Sequence, residues 1–304
     1  MENDFLNSLE KMTKEDIPFD SKVREKFLII FSSKFGKDNA ESFYEEQSNL
    51  FRDIVISSDG LKKCSGFSLF NAFIAIAING LSLEKTSTTQ CFLESRNIKI
   101  GKRQTKDGEV DVWETRATLK ISGYGELLIR QRMGQIKYAN NPIIVYDCDK
   151  FEYGERDGKT FVDYTKRIPR PHDAKTIAGF LKITRSDGTI DYKVMDMEDV
   201  VRLRNYSIKN NSKYDYQHKC WTEGKPNALY GNSNDGSDID TGFFAAKLIK
   251  HAFKTYSRIT VGDGAVMQAD DDEQPVKEEP VSPFGPTESV QGVQVKEIDS
   301  SSPF

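Results

Sequence analysis

Three groups of residues in this 304-residue chain have types and spacings that could do chemistry. Asp147 and Asp149, with Glu152 close behind, offer the clustered oxygens that a divalent cation prefers. Alternation along a strand would turn both aspartates to one face. A metal-dependent nuclease built on Asp147, Asp149 and Glu152 is one reading of the trio, and a solvated acidic strand end is the other. His172, in the run IPRPHD, has the side chain of a general base. It also suits a backbone-capping role in a turn held by Pro169 and Pro171. The third group is ISGYGELLIRQRMGQI, Ile121 to Ile136, where Tyr124 sits between two glycines and an apolar run follows with Arg130 and Arg132. It reads as a phosphate-gripping turn or as a strand-to-helix corner.

Catalysis finds no further support in the motifs. The chain has no GxxxxGK[ST] phosphate loop, no GxGxxG opening a helix in a βαβ unit, no GxSxG elbow and no HExxH. With no second histidine near His172 and no nucleophile motif, the expectation is a protein that is not an enzyme. Binding to nucleic acid asks for something different: cations that neutralise phosphates, and aromatic faces whose stacking is worth ~1–3 kcal/mol per base. Both recur along the chain. Arg116, Lys120, Tyr124, Arg130, Arg132, Lys137 and Tyr138 form one run, and Tyr164, Lys166, Arg167 and Arg170 a second. Arg202, Arg204, Tyr206 and Lys209 form a third, and Lys247, Lys250, Lys254 and Arg258 recur at spacings of three and four.

The elements that must position these residues change character along the chain. Val23–Phe35 and Ala40–Val55 have apolar residues near helical spacing, and Ser68–Gly80 predicts a nearly all-apolar helix stopped by Asn79-Gly80. From Thr89 the period moves toward two. Thr89–Ile100 and Val112–Ile121 predict a hairpin with a long charged tip around Lys106-Asp107-Gly108. A helix follows over the Gly-Tyr-Gly stretch, then one strand over Ile136–Tyr146. Turns are expected at Tyr153-Gly154 and Asp157-Gly158, and Ser186-Asp187-Gly188 predicts a hairpin between Ile177–Thr184 and Asp191–Val194. Asp196 caps a helix from Met197 to Asn205. Asn210–Asp240 is too polar to pack and reads as a surface loop, its end capping a last helix over Thr241–Ile259.

Hydrophobic residues make up 37% and charged residues 30% of the chain, so a normal core is diluted by a segment that does not pack. That segment is the end. Asp263–Phe304 holds ten acidic residues against two lysines, a net −8, which leaves 41 basic and 37 acidic residues elsewhere, a net +4. From Val261 onward the chain is therefore expected to be disordered. Cys64, Cys91, Cys148 and Cys220 are scattered without a CxxC pair, which argues against structural zinc and a disulfide framework and for free, buried or half-buried thiols. No apolar run reaches the ~18–20 residues that span a bilayer, and Met1–Glu10 lacks the features of a signal peptide. The expected location is the cytoplasm.

In their order these motifs resemble the RecT family of phage single-strand annealing proteins, from about Ser68 to Ile259. SLFNAFIAIAINGLSLEK resembles the family's apolar helix ending in a Gly-Leu turn, and LKISGYGELLIRQRMGQI its glycine-tyrosine turn and arginine-bearing helix. IIVYDCDKFEY, IPRPHD and GFLKITRSDGTIDYKVMDMEDVVRLRNYS resemble the strands and helix that follow. GFFAAKLIKHAFK resembles the closing helix, with Lys247 at the lysine of the family's lysine-threonine pair and Leu248 in place of the threonine.

The resemblance implies an α+β fold: N-terminal helices, then a bent antiparallel sheet backed by helices, and a disordered acidic C-terminal tail. Its expected divisions are a helical, oligomerising region over 1–60, an annealing core over 61–262 and the tail over 263–304. It further implies a protein that assembles as a ring or helical filament in a bacterial host cell, coats single-stranded DNA and anneals it to a complement. It would need no ATP or other cofactor, Mg2+ being at most a modulator. Its partners would be single-stranded DNA, the annealed duplex intermediate, itself, a phage exonuclease and host proteins that interact with single-strand-binding protein, with no membrane. The expected DNA contacts are Lys120, Arg130, Arg132, Lys137, Arg167, Arg170, Arg204, Lys247, Lys250 and Lys254, with Tyr124 stacking. The terminal EIDSSSPF, with Asp299, Pro303 and Phe304, looks like the tip of bacterial single-stranded DNA-binding proteins. Such a tail would dock on that protein's partners, fold back on the basic groove, or act only as a solubiliser.

Overall fold

Helices come first because the N-terminal sequence repeats its apolar residues at helical spacing. The computed structural model describes residues 2–105, 108–215, 218 and 220–267. Its helices begin with α1 (Glu2–Lys11), α2 (Ser21–Phe35), α3 (Ala40–Ser57), the single turn α4 (Asp59–Lys62) and α5 (Gly66–Asn79). Asp20 starts α2 by accepting from the amides of Lys22 and Val23 at 2.9 and 3.2 Å, donors that a helix start otherwise leaves open. Gly80, at φ +63, ends α5 in the left-handed conformation that glycine adopts without penalty. As its composition predicts, α5 is core: Leu69, Phe73, Ala75, Ile76 and Ala77 are fully buried. Phe27 stacks on Phe73 with ring centroids 4.8 Å apart. One apolar core joins α1–α5 to the first strands, so it runs across the boundary expected at 60/61, which falls within α4.

The hairpin β1 (Cys91–Thr105) and β2 (Gly108–Ile121) is longer than the sequence suggests. Its register runs from Cys91 opposite Ile121 to Thr105 opposite Gly108, so the expected charged tip is itself strand. Ion pairs between the strands knit it: Lys99 to Asp111 and Lys102 to Glu109, each at 2.7 Å. Lys106 and Asp107 lie outside the described residues.

Next come α6 (Gly123–Arg132), β3 (Ile136–Ala139) and β4 (Ile143–Tyr146). The single strand expected over Ile136–Tyr146 is broken at Asn140-Asn141-Pro142, where proline has no amide to give the ladder. β5 (Lys150–Arg156) and β6 (Lys159–Thr165) form a hairpin turned at Asp157 and Gly158, both at positive φ. Tyr153-Gly154, expected as a turn, is mid-strand instead, and a Cβ at Gly154 would lie 2.8 Å from the Phe161 ring. β7 (Thr176–Arg185) and β8 (Ile190–Asp196) pair around Gly188. β3 and β4 lie end to end along the opposite edge of β7.

α7 (Met197–Asn210) is capped by Asp196 as expected, its carboxylate accepting from the Asp199 amide at 3.0 Å, and runs five residues beyond Asn205. The polar stretch after it, expected not to pack, contains β9 (Lys213–Asp215), β10 (Cys220–Thr222) and a fully buried Tyr230. Asp240 caps α8 (Thr241–Phe253) through the Phe243 amide at 2.8 Å. α8 stops short of Ile259: the chain turns over 254–256, and the Ser257 carbonyl then accepts from Arg130 at 2.9 Å. The expectation of disorder from Val261 is corrected by β11 (Ala265–Met267), which pairs parallel with β2, Ala265 opposite Leu119 and Met267 opposite Ile121. Residues 268–304 lie outside the described residues.

A second core holds β7, β8, α7 and α8 together around Leu181, Ile183, Phe244 and Leu248. A small third cluster, Val145, Ala178 and Phe180, underlies the β5–β6 hairpin. All four cysteines are free; Cys64 and Cys91 are buried, Cys148 is half-buried, and Cys220 is exposed, contrary to expectation. Burial pushes the Cys91 thiol up to about 12, which leaves it protonated and inert.

Candidate nucleic-acid interface at the junction of α6 and α8

The Gly-Tyr-Gly stretch is a corner, and its glycines are required by proximity rather than by φ. Ser122 caps α6 by accepting from the Gly125 amide at 3.1 Å, and its hydroxyl donates to the Thr89 carbonyl at 2.5 Å. Neither Gly123 nor Gly125 has a positive φ. A Cβ on Gly125 would instead run into the backbone carbonyl of Gln90, and one on Gly123 would lie 3.0 Å from the carbonyl of Ala246 in α8. We expect Gly125→Ala to destabilise the fold by ~1–3 kcal/mol or more, and Gly123→Ala by distinctly less; equal denaturation midpoints would contradict the placement. Tyr124 is half-buried against the second core, and burial raises its phenol. Its expected role is stacking on a base, and the structure places the ring partly inside that core.

The two arginines of α6 are mostly spent on the fold. Arg130 is 4% exposed and binds Glu126 at 2.6 Å. It also donates to the Gln135 side chain at 2.6 Å and the Ser257 carbonyl at 2.9 Å. Its guanidinium lies 4.8 Å from the Phe253 ring centroid and 5.7 Å from that of Tyr256. Arg132 donates from one nitrogen to the carbonyls of Asn79 and Gly80 at 3.1 and 2.7 Å, where a cation suits the C-terminal end of α5. In α8, Lys247 is 6% and Lys250 9% exposed, whereas Lys254 is exposed. Lys247 lies 5.2 Å from the Phe243 ring centroid. The basic face expected on this helix is thus partly internal, because Phe244 and Leu248 bury the turns that carry Lys247 and Lys250.

These residues converge on a cleft of about 420 Å3, lined by Glu126 and Arg130 of α6, Lys250 and Phe253 of α8, Lys254, Tyr256, Arg258 and Ile259 after it, and Met267 of β11. Among the described residues its lining holds four basic side chains and the Glu126 carboxylate. Lys254 and Arg258 are exposed, so they can meet a polyanion without unpacking the wall. Sequence reasoning found Arg130, Lys250 and Lys254, but not Glu126, Phe253, Tyr256 or Met267. The aromatic residues of the run AFKTYSR interleave with its cations and were the available signal.

Other expected contacts do not line this cleft. Lys120 pairs with Glu94 across the hairpin at 3.2 Å, with Phe92 beneath its ammonium. Lys137 is exposed on β3. Arg204 of α7 is half-buried, and its Nε has no hydrogen-bond partner among the described residues. Arg167 and Arg170 belong to a loop organised by Asp149, whose side chain is wholly buried. Asp149 accepts from the Tyr146 amide at 3.1 Å, the Tyr164 hydroxyl at 3.2 Å, the Arg167 amide at 2.9 Å and Arg170 at 2.7 Å. Burial would lift its carboxyl, but these donors outweigh burial and hold it below the usual carboxylate range. Arg170 also covers the Tyr146 ring at 4.1 Å, while Arg167 is exposed. His172 is exposed and makes no hydrogen bond among the described residues, so the capping role is not found. Asp299, Pro303 and Phe304 lie outside the described residues.

The metal reading of the acidic trio is corrected by the same geometry. Asp147–Asp149 is a turn between β4 and β5 rather than a strand face, and Asp147 accepts from the Lys175 amide at 3.2 Å. With Asp149 saturated by donors, its oxygens are committed. Among the described residues no group of three or more His, Cys, Asp or Glu side chains could hold a metal ion. None of the described helices is long and apolar enough to cross a membrane.

No curated protein and no solved structure matches the chain. A family model does: that of the RecT family, over residues 41–227, from the start of α3 through the sheets and α7 to just before Tyr230. Since that match covers more than half of the chain, and the α+β architecture with its N-terminal helices and antiparallel sheets is the one the motifs imply, the chain belongs to the RecT family, single-strand annealing proteins of DNA recombination.

Proposed function

We propose that this chain grips single-stranded DNA by its backbone, with the α6–α8 cleft as the best-formed contact, and anneals it to a complementary strand without nucleotide hydrolysis. The observation that carries the reading is the cleft itself in a RecT-family chain: among the described residues Arg130, Lys250, Lys254 and Arg258 line it, the last two exposed, with Phe253 and Tyr256 in the wall. Such a site takes phosphates of any sequence, so binding is salt-sensitive and sequence-neutral and leaves bases exposed for pairing. Annealing follows when neighbouring subunits of a ring or filament hold two strands close. The effective concentration of the strands rises, and charge neutralisation removes their repulsion.

Within this reading Lys254 and Arg258 touch DNA directly, while Arg130, Arg132 and Lys247 are positioning residues. Lys120, Lys137, Arg167, Arg170 and Arg204 extend the cationic track. No cofactor takes part, and Mg2+ modulates DNA binding at most. The setting is the cytoplasm of a bacterial host cell, with a phage exonuclease supplying single strands and the terminal Asp299, Pro303 and Phe304 meeting host partners of single-strand-binding protein.

The test is the salt dependence of oligonucleotide binding by a Lys254→Ala, Arg258→Ala double variant. Each lost phosphate contact lowers the log–log slope by ~0.7, so the pair is expected to flatten it by about 1.4. Annealing of two fluorescent complementary oligonucleotides without ATP should slow in parallel. An unchanged slope removes the cleft from the DNA path, and annealing that requires ATP sinks the mechanism.

A further inference from the structure

We propose that the acidic stretch Asp270–Glu273 of this same chain seats in the α6–α8 cleft and competes there with the DNA backbone. The inference rests on the cleft being a DNA contact, and it adds a second occupant and a regulation that follows from it.

The exit point of the chain carries the argument. β11 is clamped parallel to β2, with Met267 opposite Ile121, and Met267 is itself one wall of the cleft. The chain therefore leaves the described structure at the cleft's edge. Three residues later come Asp270, Asp271, Asp272 and Glu273, four consecutive carboxylates. At ~3.3–3.6 Å per residue, three residues of chain can span at most about 11 Å and six about 22 Å. Lys254 and Arg258, both exposed, line the same cleft as Met267. Tethering at so short a distance gives an effective concentration in the millimolar range, so an ion-pairing segment too weak to bind as a free peptide still fills the cleft when attached. The charges are complementary: Lys254 and Arg258 are exposed cations of the lining, and the tail is net −8. DNA then has to displace the tail. Short or scarce strands lose that competition, and long strands that engage many subunits win it.

The test uses the full chain with Asp270→Asn, Asp271→Asn, Asp272→Asn and Glu273→Gln. If the tail fills the cleft nine-tenths of the time, the variant binds single-stranded DNA about tenfold more tightly at low salt. The salt slope also steepens, because DNA now replaces small counterions instead of the tail. Equal affinity and slope in the variant and the parent overturn the inference while leaving the annealing reading intact. Failure of both to bind DNA sinks that reading instead, and the tail is then decided by a second measurement. A fluorescent peptide spanning 268–279 should bind the neutralised full chain, measured by anisotropy, and lose binding when Lys254→Ala and Arg258→Ala are added. A peptide that does not bind, or binds both proteins equally, overturns the proposal.

Discussion

Arg130→Ala is expected to lower the stability of the protein by ~3–5 kcal/mol, the cost of breaking a buried ion pair. Removing the guanidinium leaves Glu126 facing the cleft wall and opens the Ser257 carbonyl. It also leaves a hole between the rings of Phe253 and Tyr256. Chemical denaturation reads the effect as a shifted midpoint at constant slope. Glu126→Leu with Arg130→Met should recover much of the loss, since a buried ion pair replaced by apolar groups of similar volume is often neutral. DNA affinity of the folded fraction should change far less than stability. The reverse result, an equally stable variant that no longer binds DNA, would make Arg130 a direct contact. The same logic disqualifies joint replacement of Lys247, Lys250 and Lys254 as a probe of DNA binding, because the first two are buried.

Asp149→Ala is expected to cost a similar ~3–5 kcal/mol, concentrated in the loop that holds Arg167 and Arg170. Four groups donate to this carboxylate, and its loss leaves the Arg170 guanidinium without its anion. Hydrogen exchange at the amides of Tyr146 and Arg167 should accelerate. The pH dependence has a definite sign. The folded-state pKa of Asp149 is depressed, so its contribution is complete above the ordinary carboxylate value of ~3.9. It is lost as pH falls below that value through the depressed folded pKa. Stability measured from pH ~5 downward should fall more steeply in the parent than in Asp149→Asn; parallel curves would contradict the network.

Much of the fold was legible from periodicity, and the failures have physical causes. The all-apolar run before Gly80, the Asp196 and Asp240 caps and the Asp187-Gly188 turn are local signals, and local signals specify local structure. β11 could not be read this way. Its residues Ala265, Val266 and Met267 are too few for a period, and a parallel pairing with β2 depends on contacts more than a hundred residues away. The hairpin was cut short because charge was taken as a loop signal, whereas Lys99–Asp111 and Lys102–Glu109 use it between strands. At the candidate site, sequence named Arg130, Lys250 and Lys254 of the cleft lining but not their exposure. Arg130 and Arg132 are two residues apart on one helix, yet the first is internal and the second caps α5. Charge type is visible in a sequence; the neighbour that buries it belongs to another element.

The helix that begins with Gly-Tyr-Gly has one more consequence. Ile129 and Leu128 enter the N-terminal core, while Tyr124 and Leu127 pack into the second. α6 is therefore a spline keyed into two hubs. An α-helix advances about 100° per residue, so a slip of one residue would withdraw side chains from both cores at once. The two halves of the protein cannot turn independently about this axle, so a load applied at the cleft is borne by the whole molecule rather than by one lobe.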